Sequence, residues 1–467
     1  MPDERFEDHL RHPRGRGRAV AGAASGAAGG AACGDLVRID VAVAGGRVTA
    51  AGFEAAGCGA TLAAASAAVE LVDGAGVLDA GRVGSPQIAA ELGGLSAGKL
   101  HAADLASDAL HRALGAAVRA DGALESDPGR TLVAMSGGVD SAVAALLCAR
   151  DGLDVAAVTL ELWADPDNDG ERSCCSAAAV RGARVVAHSL GLAHFTLDLR
   201  EEFRAGVVEP WLGEHAAGLT PNPCVRCNGH VRLDAMLDFA DRLGAATLST
   251  GHYARRTRDG LLRLAADPAK DQTYMLAALS RDALRRLRFP LGEHRKADVR
   301  ALAREAGLAV AGKPDSQDLC FLAGTGRATF LARHGGMRER PGDIVDREGG
   351  VVGRHRGHHG FTVGQRKGLG VAAGEPLYVL ATDPRANTVT VGPRAQLATR
   401  TVRVRGLRMH GREPDAVRLR YRSPAVGCRL DGDEIHLAEP FEGAAPGQAA
   451  VFLRGDAIVG CATIASP

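Results

Sequence analysis

The amino-acid sequence predicts a multidomain protein: an α+β module, then a doubly wound α/β domain, then small β-barrel domains. Three observations lead there. The chain has 467 residues, and at roughly 150 residues per domain that implies about three hydrophobic cores rather than one. From Thr131 strand-like apolar runs alternate with helix-like runs, the pattern of a parallel sheet with crossover helices. Further on helices fade, and short strands separated by Gly, Pro and Asp turns take over. We therefore expect a first domain over 1–120, a linker over 121–130, a catalytic domain over 131–335, a central small β domain over 336–396 and a C-terminal β-barrel over 397–467.

In the first domain, LVRIDVAVAGGRVTAAGFEA alternates with period two and reads as a hairpin; helical periodicity follows over 61–70 and 99–118. DGALESDPGR is polar with Gly and Pro, hence the linker. The α/β domain reads as strand TLVAM, helix AVAALLCAR, strand DVAAVTLEL, helix SAAAVRGARVVAHSLG, strand HFTLDL, a helix near Phe203 to Leu212, helix HVRLDAMLDFADRLG and strand AATLSTGHY. VVGRH, GFTVGQ, LYVLATD, TVTVG, AVRLRYR, EIHLAE and AAVFLRG supply the later strands. No fixed-period repeat is visible, so a solenoid is not supported.

Composition narrows the function. With 46% hydrophobic and 24% charged residues the chain is neither disordered nor fibrous. No apolar run reaches the length of a membrane span and the opening MPDERFEDHLRHPRGRGR is charged, so we expect a cytoplasmic protein with no membrane partner. Ten cysteines suit thiol chemistry or metal binding in a reducing compartment. Basic residues number 56 and acidic 55; any RNA site must be a local patch. Only Lys99, Lys270, Lys296, Lys313 and Lys367 among the cations are lysine.

Strand TLVAM runs into Ser136, Gly137, Gly138, Val139, Asp140 and Ser141, then directly into a helix. Glycines let the backbone approach an anion, and the free amides of a new helix bind phosphate oxygens. The Walker and Rossmann patterns are both absent. SGGVDS after a buried strand resembles the pyrophosphate loop of the N-type ATP pyrophosphatases (adenine nucleotide alpha hydrolase-like), which cleave ATP to AMP and pyrophosphate while adenylating a substrate oxygen. That resemblance implies that Ala134, Met135, Ser136, Gly137, Gly138, Val139, Asp140 and Ser141 hold ATP, with Asp140 acting through Mg2+.

SGGVDS, TPNPCVRCN, STGHYAR, KDQTYML, DSQDLCF, GFTVGQRKGLG, RLRYRSP and PGQAAVF follow in order, and through them residues 131 to about 465 resemble the bacterial tRNA-specific 2-thiouridylases. That family thiolates the 2-position of the wobble uridine in tRNAs for Lys, Glu and Gln, using ATP and a persulfide sulfur. The resemblance implies nucleotide contacts at Leu160 and Gly251, base contacts at Asn222, Pro223 and Cys224, and tRNA contacts at Lys270, Asp271, Gln272, Arg420 and Tyr421. It implies Cys227 as nucleophile and Cys320 as persulfide carrier, meeting over the adenylate and leaving a disulfide that a reductant reopens.

Read from the residues, Cys227 lies in a Pro-containing loop ahead of a helix, where helix amides and Arg226 favour thiolate. A zinc role for the Cys224/Cys227 pair lacks a second CxxC. Cys224 stands where the family often has Asp. Cys174 and Cys175 are candidates to cap a site or join Cys227 and Cys320 around an iron-sulfur cluster; Cys148, Cys428 and Cys461 read as core. Lys270, Lys313 and Lys367 fall in motifs, whereas Lys296 reads as a solvated helix face. Arg400, Arg403, Arg405, Arg408, Arg412, Arg418, Arg420 and Arg422 with Tyr421 suit phosphate contact and base stacking. His355, His358 and His359 read as a polar loop.

Residues 1–120 resemble the NifU and IscU iron-sulfur scaffolds through HPRGRG, AACGD, AAGCGAT and KLHAADLASDAL. The ligands this implies are Cys33, Asp35, Cys58 and His101. Ala102 replaces the family's third cysteine and LSAGK its chaperone-read segment, so zinc, an iron-sulfur cluster or a metal-free docking module for a cysteine desulfurase or other persulfide donor all stay open. The leading expectation is an ATP-dependent tRNA sulfurtransferase; the alternatives are an iron-sulfur scaffold or sulfur carrier with an accessory pyrophosphatase domain, and a non-catalytic RNA-binding protein.

Overall fold

In the first half of the molecule, alternation turns Val37, Ile39, Val41 and Val43 inward, so β2 (Leu36–Ala44) and β3 (Arg47–Ala56) form the expected hairpin. Gly45 and Gly46 turn it at φ of +56° and +74°, left-handed values that suit glycine. A further strand, β1 (Ala24–Gly29), pairs with β2; its ASGAAG carries no alternation to announce it. Five helices complete the module: α1 (Glu4–Arg11), α2 (Gly59–Val72), α3 (Val77–Ala80), α4 (Ser85–Glu91) and the long α5 (Leu100–Asp121). A Cβ on Gly26 would lie 2.1 Å from the carbonyl oxygen of Ala109, so small residues let β1 lie directly on α5.

The computed structural model describes residues 4–29, 34–165, 176–315, 319–322 and 324–466. It divides into two units, one of residues 1–200, 235–252 and 286–320, the other of 201–234, 253–285 and 321–467.

The first unit continues with β4 (Asp127–Ala134), α6 (Val139–Arg150), β5 (Asp154–Glu161), α7 (Ala177–Ser189), β6 (Ala193–Asp198) and β7 (Ala245–Thr250). The polar 121–130 segment gives its last four residues to β4, because backbone pairing outweighs side-chain polarity there: the Leu124 N–H donates to Arg242 O (3.0 Å) and the Asp127 N–H to Gly244 O (2.8 Å). The sheet order is Leu287–Arg288, β7, β4, β5, β6, all parallel. The chain steps outward from β4 to β6, then returns to lay β7 on the other side of β4. That reversal is where open α/β sheets bind ligands, beyond the carboxyl ends of the strands.

Helix α5 packs on β6, the strand at one end of that sheet. A Cβ on Gly115 would sit 2.1 Å from Thr196 O. The ring of His111 lies between His194 O (2.7 Å) and Val83 O (2.9 Å). Arg112 clasps both oxygens of Glu161 and donates to Ala27 O (2.7 Å), while Asp108 accepts from Arg181 (2.8 Å) and Arg184.

In the second unit, strands Ala398–Met409, Glu434–Glu442, Val426–Asp431, Ala416–Arg418, Ala449–Arg454 and Ala457–Ile464 pair in that order, and the first closes on the last, giving a six-stranded barrel filled by Val402, Val404, Val417, Ile435 and Phe452. A four-stranded sheet in the order Val351–His355, Gly342–Val345, Thr388–Pro393, Leu377–Asp383 packs around Ile344, Val379 and Val391. GFTVGQ, expected as a strand, forms turns instead: Gly364 has φ +87° and Gln365 Oε1 accepts from the Thr362 N–H (3.1 Å).

Candidate active site

Strand β4 ends at Ala134, and the Met135 N–H still pairs with Val158 O (2.8 Å). The chain then turns at Gly137, where φ is +68° and a Cβ would lie 2.8 Å from Ala179 O; both demand glycine. Ser141 Oγ donates to Gly138 O (3.0 Å) and accepts from the Ser136 N–H (3.1 Å), so the loop closes on itself and presents the first amides of α6 beyond the end of β4. Gly251, just past β7, packs on this loop: a Cβ there would be 2.7 Å from Ser141 N. The two loops at the sheet's reversal point therefore touch. Leu160 is buried near the end of β5, beside the Glu161 that Arg112 holds.

Two lysines reach the loop. Lys313 Nζ donates to Gly137 O (2.9 Å). Lys296 corrects the solvated-face expectation: its side chain is 12% exposed, and Nζ lies 2.7 and 2.8 Å from the Asp140 oxygens and 2.9 Å from Asp315. Its partner in the loop stands 156 positions away, so no local pattern marks it. Lys296, Asp315 and Arg112 are what sequence reasoning missed; the one signal was Gly115, a costly residue in mid-helix that marks close approach.

Asn222 Oδ1 accepts from the N–H groups of Cys224 (3.1 Å) and Val225 (3.3 Å), capping the helix Pro223–Cys227. Cys227 thus lies within a helix and is buried, not in a loop ahead of one; Asn-Pro is a cap followed by a first-turn proline. Arg226 Nε is held by Gly206 O (2.6 Å). Cys224 is half-buried, as is Cys320. Cys227 belongs to the second unit and Cys320 to the first. Cys174 and Cys175 lie outside the described residues. Burial pushes the thiols of Cys428 and Cys461 up to about 11 and raises that of Cys148, so all three are protonated at neutral pH.

Of the tRNA candidates, Lys270 is half-buried. Asp271 accepts from Thr273 Oγ1 (2.9 Å) and the Ala265 N–H (3.0 Å) and pairs with Arg418 (3.2 Å), and Gln272 Oε1 accepts from the Tyr253 N–H (3.0 Å). Both side chains bind the protein's own backbone. Arg420 is exposed, with Nη2 donating to Gly443 O (2.9 Å). Tyr421 stands 5.8 Å from the Tyr274 ring with the Arg422 guanidinium 5.2 Å from its centroid. Along Ala398–Met409, Arg403 and Arg405 point out while Val402 and Val404 point in; they pair with Glu434 (3.2 Å) and Glu214 (3.3 Å). His355 Nε2 and His358 Nδ1 bond Asn387 (3.1 and 3.4 Å).

In the first module the ligand atoms of Asp35, Cys58 and His101 lie within 4.8 Å of one another; Cys33 is outside the described residues. Asp35 is buried, 3.7 Å from His101 Nε2, and accepts from Thr61 Oγ1; Cys58 Sγ lies 3.5 Å from that hydroxyl. A Cβ on Gly57 would come 2.4 Å from Asp35 Oδ1. A thiol, an imidazole and a carboxylate converging on a point are a donor set that zinc accepts.

A parallel sheet with an anion loop at its reversal point, joined to a module with converging metal-type donors, defines a nucleotide-using α/β enzyme fused to a scaffold-like domain. Residues 3–119 match the NifU-like N terminal domain, 129–324 the tRNA methyl transferase HUP domain, 328–393 the tRNA methyl transferase PRC-barrel domain and 399–464 the aminomethyltransferase beta-barrel domain. The chain is 45% identical, over 98% of its length and 97% of the other's, to the bifunctional protein NifU/MnmA of Rubrobacter xylanophilus. It is 45% identical to the tRNA-specific 2-thiouridylase MnmA of Salinispora tropica over 72% of this chain and 99% of that one, and 46% identical to that of Xanthobacter autotrophicus over 70% and 90%. The chain belongs to the NifU/MnmA family of tRNA 2-thiouridylases carrying a NifU-like domain.

Proposed function

We propose that the protein is an ATP-dependent tRNA sulfurtransferase that converts the wobble uridine to 2-thiouridine. The observation that carries this is the self-closed SGGVDS loop at the sheet's reversal point, with Gly251 packed against it, in a chain related along its length to NifU/MnmA. The amides of α6 and the hydroxyls of Ser136 and Ser141 bind the triphosphate. Asp140 offers hard carboxylate oxygens of the kind Mg2+ takes. The uracil 2-oxygen attacks the α-phosphorus and pyrophosphate leaves. The terminal sulfur of a persulfide on Cys320 then goes to C2, directly or after release by Cys227, and AMP departs with the oxygen; the two thiols end as a disulfide that an external reductant opens. Asn222, Pro223 and Cys224 face the base, and Lys270, Asp271, Gln272, Arg420 and Tyr421 serve the tRNA, Asp271 and Gln272 by holding the surrounding backbone.

Asp35, Cys58 and His101, with Cys33, are assigned to a zinc ion or iron-sulfur cluster, and the module to docking a cysteine desulfurase. Ala102, fully buried in α5, supplies no thiol there, which disfavours the scaffold alternative. Incubation with ATP, a persulfide source and tRNA should yield AMP and 2-thiouridine. Cys227→Ser and Cys320→Ser should each abolish thiolation while adenylation persists; full thiolation in either variant removes that residue from the mechanism.

A further inference from the structure

Residues 311–315, which precede Cys320 in sequence, are tied down on two sides. On one, Arg300 of the helix Lys296–Glu305 donates to the carbonyls of Ala311 (3.0 Å) and Lys313 (3.1 Å) and to Asp315 Oδ1 (2.8 Å). On the other, Lys313 Nζ holds Gly137 O of the phosphate loop (2.9 Å). Between them stands Lys296, with Asp140 at 2.7 Å and Asp315 at 2.9 Å. We propose that Lys296 is a positioning residue that couples the state of the ATP loop to the thiol of Cys320, acting as the shared counter-ion of Asp140 in the loop and Asp315 five residues before that cysteine.

The coupling is electrostatic. Lys296 and Arg300 balance Asp140 and Asp315, charge for charge. A triphosphate at the start of α6 adds several negative charges beside Asp140, a like-charge encounter that is relieved when a divalent cation takes the carboxylate or when a cation turns to the phosphates. Lys296 is already at hydrogen-bond distance from the loop and needs only a side-chain rotation to do so. Its departure takes one cation from Asp315, which keeps Arg300, so the ties on residues 311–315 differ between the empty and the loaded loop. Two discrete pairings of one largely shielded ammonium are the bistable element that such coupling requires. The sulfur-carrying thiol is thereby kept in register with the nucleotide that activates the uridine.

The inference rests on the ATP reading, and one experiment separates the two. The full chain is titrated with a non-hydrolysable ATP analogue and Mg2+ by calorimetry, and the alkylation rate of Cys320 is followed by peptide mass spectrometry with and without the analogue, with buried Cys461 as internal reference. Wild-type protein should bind the analogue and change its Cys320 alkylation rate by about threefold or more. Asp315→Asn should keep the affinity within about twofold yet lose the change in rate. Lys296→Met should bind about tenfold more weakly, the loss of one charge-assisted hydrogen bond, and lose the change at saturation; Lys296→Arg should restore part of both. Thermal unfolding checks that each variant folds, and Asp315→Asn, which keeps Lys296 on Asp140 and Arg300 on two carbonyls, carries the test should Lys296→Met not fold. An undiminished nucleotide response in Asp315→Asn, or a wild-type Cys320 indifferent to bound analogue, overturns the coupling. Failure of the wild type to bind the analogue overturns the ATP reading itself.

Discussion

Arginines gather at two places and do opposite things there. Where α5 meets the parallel sheet, Arg184 is 2% exposed and shares Asp108 with Arg181, while Arg112 is clamped on Glu161. On the barrel strand Ala398–Met409, Arg403 and Arg405 are more than half exposed and their pairs lie in water. A buried pair cannot lose one member cheaply, because the other is left as a desolvated charge; an exposed pair contributes little to stability and stays available to phosphates. Burial, not clustering in sequence, decides which arginines build the molecule and which stay open to solvent.

The buried arginine cluster is most vulnerable at Asp108. Asp108→Ala strands Arg184 and should cost about 3–5 kcal/mol, read from the urea midpoint; a loss under about 1 kcal/mol would mean the seam is wet. A smaller effect is expected from acid. Burial, opposed by the bond to Gly81 O and reinforced by Arg184, depresses the His188 pKa to about 4, and burial also lowers that of His194. An unfolded histidine takes its proton near pH 6.5. The unfolded chain therefore binds more protons below that value, and stability should be full above pH 6.5 and fall as the pH drops toward 4, by up to about 3 kcal/mol for His188. His188→Asn should make that slope shallower, with buried His194 and His111 supplying the remainder. The smallest stability effect belongs to the barrel: Arg403→Ala should shift unfolding by less than about 1 kcal/mol, yet weaken tRNA binding and lower the salt dependence by about one ion. No change in the salt slope would assign Arg403 to solvent alone.

The same contrast explains what could be read in advance. The SGGVDS turn was legible because Gly137 and Gly251 are fixed by backbone geometry, which leaves a mark at the residue itself. The outward arginines of the barrel were legible from alternation with Val402 and Val404, though their carboxylate partners, Glu434 and Glu214, were not. Lys296 was illegible: an amphipathic helix start looks the same whether its lysine meets water or an aspartate far away in sequence. Asn-Pro has the composition of a loop, yet Asn222 and Pro223 are the cap and first turn of the helix that holds Cys227. Strand β1 was missed because ASGAAG was chosen for closeness to α5, which demands small side chains and erases the apolar alternation.

The backbone bonds of Leu124 to Arg242 and of Asp127 to Gly244 have a mechanical consequence. His101 lies at the start of α5 and Gly115, fourteen residues on, is already against β6, a fixed offset of about 21 Å at ~1.5 Å per residue. With no slack between α5 and β4, the donor cluster of Asp35, Cys58 and His101 is held at a set distance from β6 and does not travel on a swinging arm.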